Sequence, residues 1–393
     1  MKTNVSWATS DDSRTAGKSV AKKAVLDLER TKIAFLFNSS KYDEQAVLNG
    51  AKEELGTAPI IGCTTSKGLF TPEGFISSND GFSGMLAIGD NVMEATTGAC
   101  TRLVDAKDSA KYAVLDALKK HTKKGRPNYC FMFCTPGFEE EYQKGIFETI
   151  GSIPIFGGVA SSDSSEGQVK VFTENALLNE GVAVALIYTD KNIDNWFDGK
   201  YHETVKSGII TDVGSNHRII KQIDSKDAFR VYSMWNDKKM SEMKDENLYK
   251  EFILHPLGIK TVDGSTTIIR QPISITDNNE IEVNENVYIN NGIIKMTATK
   301  EEIREAPSFI IRQFLDNLRV EGKEVNSLVL LHSGKRLVDF DEGDISYIAD
   351  SIKEATKKIP FIMPLTFGEF GVTDTGSNLC GDLMMTFVAI CNN

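Results

Sequence analysis

The sequence predicts a mixed α/β protein, in which repeated βαβ-type units form two domains with mixed sheets. Three observations support this prediction. The chain has 393 residues, which is too long for one ordinary hydrophobic core. Hydrophobic residues make up 41% and charged residues 25% of the sequence, which is normal for a folded globular protein. Three segments of the chain also repeat one order of strand, turn and helix signals.

Each repeat begins with an apolar strand and a polar turn, continues with an amphipathic helix, and ends with proline, a second short strand and a turn of small residues. In the first repeat these parts occupy residues 33–37, 38–40, 43–55 and 59–65. In the second repeat they occupy residues 130–134, 135–137, 139–150 and 154–161. In the third repeat they occupy residues 328–331, 332–336, 342–357 and 360–369. This order predicts βαβ crossovers, each with two parallel strands side by side and a helix packed on the sheet.

Both turns of such a unit lie at the carboxyl ends of its strands, where ligands bind in open α/β sheets. Glycine and small hydroxyl residues at these ends allow a ligand to approach the backbone closely. We therefore predict a ligand site near the turns at 62–66, 157–162, 333–336 and 367–370. A purely structural role is the alternative, because α/β connections use the same residue types for turn geometry.

The remaining segments predict more strands and a domain boundary. Residues 176–188 have the pattern of a strand pair with a turn at 179–181. Residues 266–275 and 287–296 predict a β-meander. We place the boundary near residue 225, just before a helical segment, which gives an N-terminal domain over 1–225 with two units and a C-terminal domain over 226–393 with the third unit and the meander.

Net charge and cysteine content indicate the cellular location of the protein and the partners that it does not bind. The net charge is −11, so the surface repels phosphate backbones and anionic membranes, and nucleic acid is not an expected partner. We see no signal peptide and no apolar run near the ~20 residues of a membrane span, so no membrane insertion is expected. The six cysteines are scattered, mostly in apolar strand-like segments, which predicts reduced thiols and a cytoplasmic location.

Several motifs, in order and spacing, resemble the FIST N and FIST C domains of bacterial signal transduction. The N-domain motifs are Asn38-Ser39-Ser40-Lys41-Tyr42-Asp43, 59–65, Phe156-Gly157-Gly158-Val159-Ala160, 181–186, 218–221, Asp227-Ala228 and Val231-Tyr232. The C-domain motifs are His255-Pro256-Leu257-Gly258, 333–336 and Phe367-Gly368-Glu369-Phe370-Gly371. The resemblance covers nearly the whole chain.

The resemblance implies a non-enzymatic sensor of small ligands, with amino acids as one ligand class. It also implies a signalling partner such as a histidine kinase or a chemoreceptor. Some proteins of similar size in this family bind haem and sense nitric oxide, so a haem-bound gas sensor is the alternative. The chain departs from the family pattern in two places: Ser66-Lys67-Gly68 stands where Gly-Glu is usual, and Ser333 stands where cysteine is usual.

Residues of the four turns are the candidate ligand contacts. They are Cys63, Thr64, Thr65, Gly157, Gly158, Ser161, Arg336, Gly368 and Glu369. Arg336 and Glu369 form the leading polar pair, because a guanidinium binds a carboxylate and a carboxylate accepts an ammonium, as a zwitterion requires. The alternative is that these two side chains pair with each other or with solvent.

Two other chemistries remain open at the level of sequence. Haem requires an axial ligand, commonly histidine, and the candidates in the matched segments are His332, His217 and His255. A thiol-dependent enzyme could use Cys63, which ends a short strand, although a nucleophilic thiolate requires a nearby base. No Cys or His pair has the spacing of zinc ligands, so we expect no metal site.

Overall fold

The computed structural model describes residues 1–122, 125–163, 167–243, 248–261, 264 and 266–393. Three units of similar structure follow one another along the chain. The first unit consists of β1 (Lys2–Ala8), α1 (Ser13–Ala24), β2 (Thr31–Ser39), α2 (Glu44–Leu55), β3 (Ile60–Thr65), β4 (Gly68–Thr71), β5 (Gly74–Ser77) and β6 (Ser83–Gly89). The second consists of β7 (Glu94–Thr101), α3 (Ala106–Lys120), β8 (Tyr129–Cys134), α4 (Glu139–Ile150), β9 (Ile155–Val159), β10 (Val171–Thr173), β11 (Ala176–Leu178) and β12 (Gly181–Tyr188).

The third unit has the same order but is interrupted after its first strand, β13 (Ile193–Asp198). The interrupting segment, residues 199–299, is called the insert below. It consists of β14 (His202–Val213), β15 (Ile219–Ile223), β16 (Lys226–Asp227), α5 (Ala228–Trp235), α6 (Met240–Met243), α7 (Leu248–Leu254), β17 (Leu257–Lys260), β18 (Thr267–Arg270), β19 (Pro272–Ile275), β20 (Ile281–Val283) and β21 (Gly292–Thr297). The unit then resumes with α8 (Lys300–Val320), β22 (Val325–Ser333), α9 (Glu342–Thr356), β23 (Phe361–Thr366), β24 (Gly368–Val372), β25 (Asn378–Asp382) and β26 (Met385–Cys391).

The three predicted crossovers are confirmed. The strand pairs β2–β3, β8–β9 and β22–β23 are parallel. The connecting helices begin where the sequence supplies a cap or acidic charge. Asp43 accepts a hydrogen bond from the Ala46 N–H at the start of α2, and Asp341 with Asp344 forms a capping box on α9. Three glutamates occupy the first turn of α4, where their charge complements the helix dipole.

The units exchange their hairpins in a cycle, which closes them into one body. The hairpin β4–β5 of the first unit pairs with β23 of the third. The hairpin β10–β11 of the second unit pairs with β3 of the first, and β24–β25 of the third pairs with β9 of the second. Among the described residues this gives three six-stranded sheets of equivalent strand order: β1-β6-β2-β3-β10-β11, β7-β12-β8-β9-β24-β25 and β13-β26-β22-β23-β4-β5.

The three sheets surround one apolar core, and the helices pack on their outer faces. Alternate residues of each parallel strand face this central core. Phe35 lies 4.7 Å from Phe131 between ring centroids, and Phe37 lies 5.4 Å from Phe133, so equivalent positions of the first two units meet. The intervening residues, such as Leu36, pack beneath α1 and α2. Burial on both faces explains why these strands read as continuous apolar runs.

The insert forms an antiparallel sheet with α5 to α7 packed on it. The predicted strand segment at 266–275 contains β18 and β19, separated at Gln271, and the segment at 287–296 contains β21, which begins at Gly292. The strand order is β18-β17-β21-β14-β15-β20-β19, because β14 and β15 from before residue 225 lie between β21 and β20. The units and the predicted boundary near residue 225 thus partition the chain in different ways. The division at that residue stays a prediction.

No helix in the described part of the chain is both long and apolar enough to cross a bilayer.

Candidate functional site

The carboxyl ends of the second parallel strands of all three units meet in what is called the strand-end ring below. Three backbone hydrogen bonds join the units in a cycle. The Ser161 N–H donates to the Thr64 carbonyl at 3.0 Å, the Phe367 N–H to the Val159 carbonyl at 3.0 Å, and the Ser66 N–H to the Leu365 carbonyl at 3.3 Å. Within each unit, the residue that donates lies two positions after the residue that accepts: Ser66 after Thr64, Ser161 after Val159, and Phe367 after Leu365. The repeat therefore brings the predicted turns at 62–66, 157–162 and 367–370 together.

The strand-end ring contains several hydroxyl side chains, and two of them, those of Ser161 and Ser66, bind each other. The Ser161 hydroxyl lies 2.7 Å from the Leu365 carbonyl and 3.2 Å from the Ser66 hydroxyl. Thr64 and Thr65 are fully buried, and the Thr65 hydroxyl has no hydrogen-bond partner among the described residues. The predicted contacts Thr64, Thr65 and Ser161 thus lie together, in a region stabilised by contacts within the protein.

Protein packing explains the predicted glycines of the second unit. A Cβ at Gly157 would lie 1.8 Å from the carbonyl oxygen of Met132 on the neighbouring strand, and Gly157 has a φ of +143°. A Cβ at Gly158 would lie 2.9 Å from Thr366 Cγ2 and 3.1 Å from the Gly368 carbonyl oxygen. These positions require glycine because other strands approach closely, and no ligand is needed to account for them.

Cys63 is fully buried in the central core, and burial raises the pKa of its thiol. A thiol held in its neutral form is a poor nucleophile. This environment matches that of a small apolar residue and disfavours the thiol-enzyme alternative.

Arg336 and Glu369 are both buried but contact different groups. Arg336 Nη1 donates to the carbonyl oxygens of Gly199 and Leu383, both at 2.6 Å, and its guanidinium lies over the Tyr201 ring at 5.1 Å. Glu369 accepts from the Thr366 hydroxyl at 2.8 Å, and burial raises the pKa of Glu369 to about 8. Among the described residues the two side chains do not pair with each other but have separate partners, so their contact with a ligand stays a prediction.

A cavity of 220 Å³ lies beside the strand-end ring, between the second unit, the third unit and the insert. We call it the charged cavity, after the five acidic and basic side chains Glu139, Arg218, Glu285, Lys335 and Asp382 that line it. Val159, Phe367 and Gly368 form its floor at the ring, and Tyr249 and Ile273 of the insert also line it. Of the predicted contacts, Gly368 lines this cavity.

Two ion pairs lie on the walls of the charged cavity. Lys335 Nζ lies 3.0 Å from Asp382 Oδ1, and both side chains are more than nine-tenths buried. Arg218 Nη2 lies 2.9 Å from Glu139 Oε2 and donates to the Gly137 carbonyl at 2.8 Å. Lys335 also lies over the Phe367 ring, with its Nζ 5.3 Å from the centroid. Buried charges of both signs are costly unless each has a partner, so their presence beside an open volume makes this cavity the candidate ligand site.

The insert docks on the first turn of α4 through three consecutive glutamates. Glu139 pairs with Arg218, and Glu140 Oε1 lies 3.1 Å from Arg270 Nη2. Glu141 Oε1 accepts from the Asn286 amide at 3.2 Å. Because each partner belongs to the insert, this acidic turn fixes the position of the insert at the rim of the charged cavity.

The three histidines proposed as haem ligands lie in different environments. His332 is fully buried in β22, where Nδ1 lies 2.9 Å from the Ser333 carbonyl, and burial lowers its pKa. His217 is exposed, with its ring 5.1 Å from that of Tyr288. His255 Nδ1 lies 3.1 Å from the Thr297 hydroxyl. None of the three lines the charged cavity.

Sequence reasoning missed the residues that charge this cavity. Lys335 lies within the predicted turn at 333–336, but the sequence favours its neighbour Arg336 as the ligand contact, because a guanidinium suits a carboxylate. The sequence around Glu139 indicates only an acidic residue in the first turn of a helix, where its charge complements the helix dipole. Glu285 and Asp382 have no local signal, because Glu285 follows β20 of the insert and Asp382 ends β25, and these segments meet only in the tertiary structure.

Comparisons with known proteins identify the family. The FIST N domain model matches residues 32–226 and the FIST C domain model matches residues 228–372. Curated protein sequences give no significant match. Among solved structures, a cyanuric acid hydrolase from A. caulinodans is 6% identical, with a TM-score of 0.34 over 100% of this chain and 99% of that one. Phosphoribosylformylglycinamidine synthase II from Thermotoga maritima is 9% identical, with a TM-score of 0.24 over 99% and 72% of the two chains.

Both structural likenesses are too weak to support a conclusion. The two family models, in contrast, cover most of the chain in the expected order. The chain therefore belongs to the FIST family, whose domains are sensor domains of signal transduction.

Proposed function

We propose that this protein is a cytoplasmic bacterial sensor, that it binds a small zwitterion such as an amino acid in the charged cavity, and that it reports binding to a histidine kinase or chemoreceptor. The observation that carries this proposal is the presence of buried charges of both signs around a 220 Å³ volume. This volume is below the ~300–1,000 Å³ that is usual for drug-sized ligands, so it suits a small metabolite.

Both ends of a zwitterion find complementary groups in the charged cavity. Lys335 and Arg218 offer N–H donors for a carboxylate. Asp382, Glu285 and Glu139 offer oxygens for an ammonium group. The apolar contacts of Val159, Phe367 and Ile273 would surround a short side chain. In this proposal Lys335 has the role that the sequence suggested for Arg336.

A route from the cavity to the insert supports a sensory role. Lys335 and Arg336 are consecutive in the 3-10 turn Gly334–Leu337. Lys335 lines the cavity, whereas Arg336 donates to the carbonyl of Gly199, the first residue of the insert. A ligand that engages Lys335 would change the turn that holds this connection. If the ligand binds one placement of the insert more tightly than another, it shifts their populations, which a partner protein can read.

We further propose that the protein is not an enzyme. The burial of Cys63 and its raised pKa support this proposal, since they remove the thiol suggested by the sequence from reach of a substrate. Haem sensing is the second candidate because His332 Nε2 has no hydrogen-bond partner among the described residues. An absorbance spectrum of the purified protein with haemin separates the candidates, since a stoichiometric Soret band supports haem sensing.

A thermal-shift screen of the protein amino acids, followed by calorimetry, tests the proposed ligand class. A ligand at a hundred times its Kd stabilises the folded state by about 2.7 kcal/mol, so a bound amino acid raises the Tm measurably. Ile273→Trp, which fills the cavity, should abolish the shift. Ile289→Trp is the matched control, because Ile289 is half-exposed and does not line the cavity. The proposal fails if no amino acid raises the Tm, or if Ile273→Trp binds as well as the wild type.

A further inference from the structure

The acidic and basic side chains of the charged cavity are unequal in number. Three of them are acids, Glu139, Glu285 and Asp382, and two are bases, Arg218 and Lys335. Arg218 pairs with Glu139, and Lys335 pairs with Asp382. Glu285 takes part in no ion pair of the described residues, although its side chain is almost fully buried. One carboxyl group of the cavity is therefore left without a cation.

Glu285 and Asp382 both line the charged cavity, and their side chains lie within hydrogen-bonding reach of each other. Asp382 Oδ1 accepts from Lys335 Nζ and from the Asn284 amide, both at 3.0 Å. Asp382 Oδ2 and Glu285 Oε2 have no partner among the described residues. Two buried carboxyls in contact cannot both ionise without a counter-charge. Burial and the charge of Asp382 raise the pKa of Glu285 well above its ordinary range, which favours Glu285 as the carboxyl of the pair that holds a proton.

The other charged and titratable groups around Glu285 have partners of their own. Arg270 binds Glu140 and the Cys380 carbonyl, and the Cys380 thiol lies 3.7 Å from Glu285 Oε1. Arg218 and Lys335 are held in the ion pairs described above, with Glu139 and Asp382. Among the described residues, Glu285 is thus the one carboxyl group of the cavity that takes part in no ion pair.

We propose that the Glu285–Asp382 carboxyl pair is the ammonium subsite of the charged cavity, and that a ligand bearing a primary amine replaces the proton that these carboxyls share. This inference rests on the proposed function and names the group that the cavity selects. An ammonium group donates three hydrogen bonds and carries the charge that the pair lacks. A metal ion suits the cavity less, because no three His, Cys, Asp or Glu side chains in the described part of the chain are placed so that they could hold one together.

Replacement of a proton makes ligand binding depend on pH. In the free protein Glu285 holds the proton, and binding of the ammonium group releases it to the solvent. Binding therefore weakens as the pH falls, by about tenfold per pH unit while the pKa of Glu285 lies above the working pH. A ligand that carries a carboxylate but no amine gains nothing from this exchange.

The test uses methylammonium chloride and sodium acetate as probes at matched ionic strength, with the Tm of the full chain as the readout. We expect methylammonium to raise the Tm of the wild type, more at pH 8 than at pH 6, and acetate to leave it unchanged. Glu285→Gln should abolish the shift, because its amide resembles the protonated acid and cannot ionise. Glu44→Gln is the matched control, since Glu44 is a buried carboxyl paired with Lys170 in the first unit.

Each outcome supports or overturns the inference. A methylammonium shift that persists in Glu285→Gln, a shift that does not depend on pH, or a shift with acetate alone overturns the ammonium subsite. Absence of any methylammonium shift up to the solubility limit also overturns it. If methylammonium binds as expected but no amino acid does, the subsite stands and the amino-acid proposal fails. If amino acids bind wild type and Glu285→Gln equally, the sensor proposal stands and the subsite is wrong.

Discussion

The strand-end ring and the charged cavity are adjacent but differ in how they are built. In the ring, the three units contribute equivalent backbone groups, and hydroxyl and apolar side chains surround them. In the charged cavity, the third unit contributes Lys335 and Asp382, the second unit contributes Glu139, and the insert contributes Arg218 and Glu285. The ring is symmetric and uncharged, whereas the cavity is asymmetric and charged.

The insert accounts for this difference. Only the third unit of the described chain is interrupted between its first strand and its first helix, at residues 199–299. The inserted sheet covers one of the three junctions between units and brings its own charged side chains to it. Repeated small-residue turns therefore build the scaffold, and the departure from symmetry forms the cavity that we propose as the ligand site. The two regions should therefore differ in how much a substitution changes the stability of the protein.

Loss of a buried charge in the cavity should have the largest effect. Lys335→Met removes the partner of Asp382 and leaves a buried carboxylate beside Glu285. Breaking a buried ion pair in this way costs about 3–5 kcal/mol of the free energy of unfolding. Urea denaturation of the wild type and the variant measures the difference. Glu53→Gln, which breaks the exposed pairs with Arg14 and Lys18, is the control and should change stability far less. Equal effects of the two variants would contradict a special role for the cavity charges.

Crowding in the second unit should have an intermediate effect. Gly157→Ala places a Cβ 1.8 Å from the Met132 carbonyl oxygen, so β8 and β9 must separate. Overpacking of this kind costs about 2–3 kcal/mol. Gly74→Ala is the matched control, because Gly74 also has a positive φ, of +126°, but no atom would contact its Cβ within 4 Å. Denaturation midpoints that shift equally in both variants would show that φ, and not the close approach of the strands, requires glycine at position 157.

Titration of Glu369 should have the smallest effect for any single unit of pH, about 1.4 kcal/mol at most, although these steps add up between pH 4.5 and about 8. Burial raises the pKa of this carboxyl from 4.5 to about 8, so the folded state holds the proton more tightly than the unfolded chain does. Its contribution to stability is complete below pH 4.5 and is lost as the pH rises to about 8, by up to about 1.4 kcal/mol per pH unit. Glu369→Gln should remove this part of the pH dependence.

Urea denaturation of the wild type and Glu369→Gln at several pH values between 5 and 8 measures it, as the slope of their difference in stability. A difference that is constant with pH would show that Glu369 does not retain its proton in the folded state. The Glu285→Gln variant provides a comparison, since that change removes a second carboxyl of raised pKa and should also reduce the dependence of stability on pH.

Periodicity determined a large part of the fold. The strand pairs at 33–37 with 59–65, at 130–134 with 154–161, and at 328–331 with 360–369 are parallel as predicted. Proline and small-residue turns at matching places indicated one repeated unit, and the units do bring their turns together at Thr64, Val159 and Leu365. Local patterns could reveal this because hydrophobic alternation, helix starts and turn residues depend on near neighbours in the chain.

Contacts between distant segments decided the rest. The cyclic exchange of hairpins has no local signal, because the pairing of β4 with β23 or of β24 with β9 depends on how three units close around one core. Arg336 and Lys335 are adjacent, yet Arg336 binds the Gly199 carbonyl and Lys335 lines the cavity. This difference also depends on segments that are distant in the chain. The sequence by itself thus determined the repeated unit and its family. Only the tertiary structure decided which charges face the cavity, because buried charges find partners from several elements and a local pattern cannot specify them.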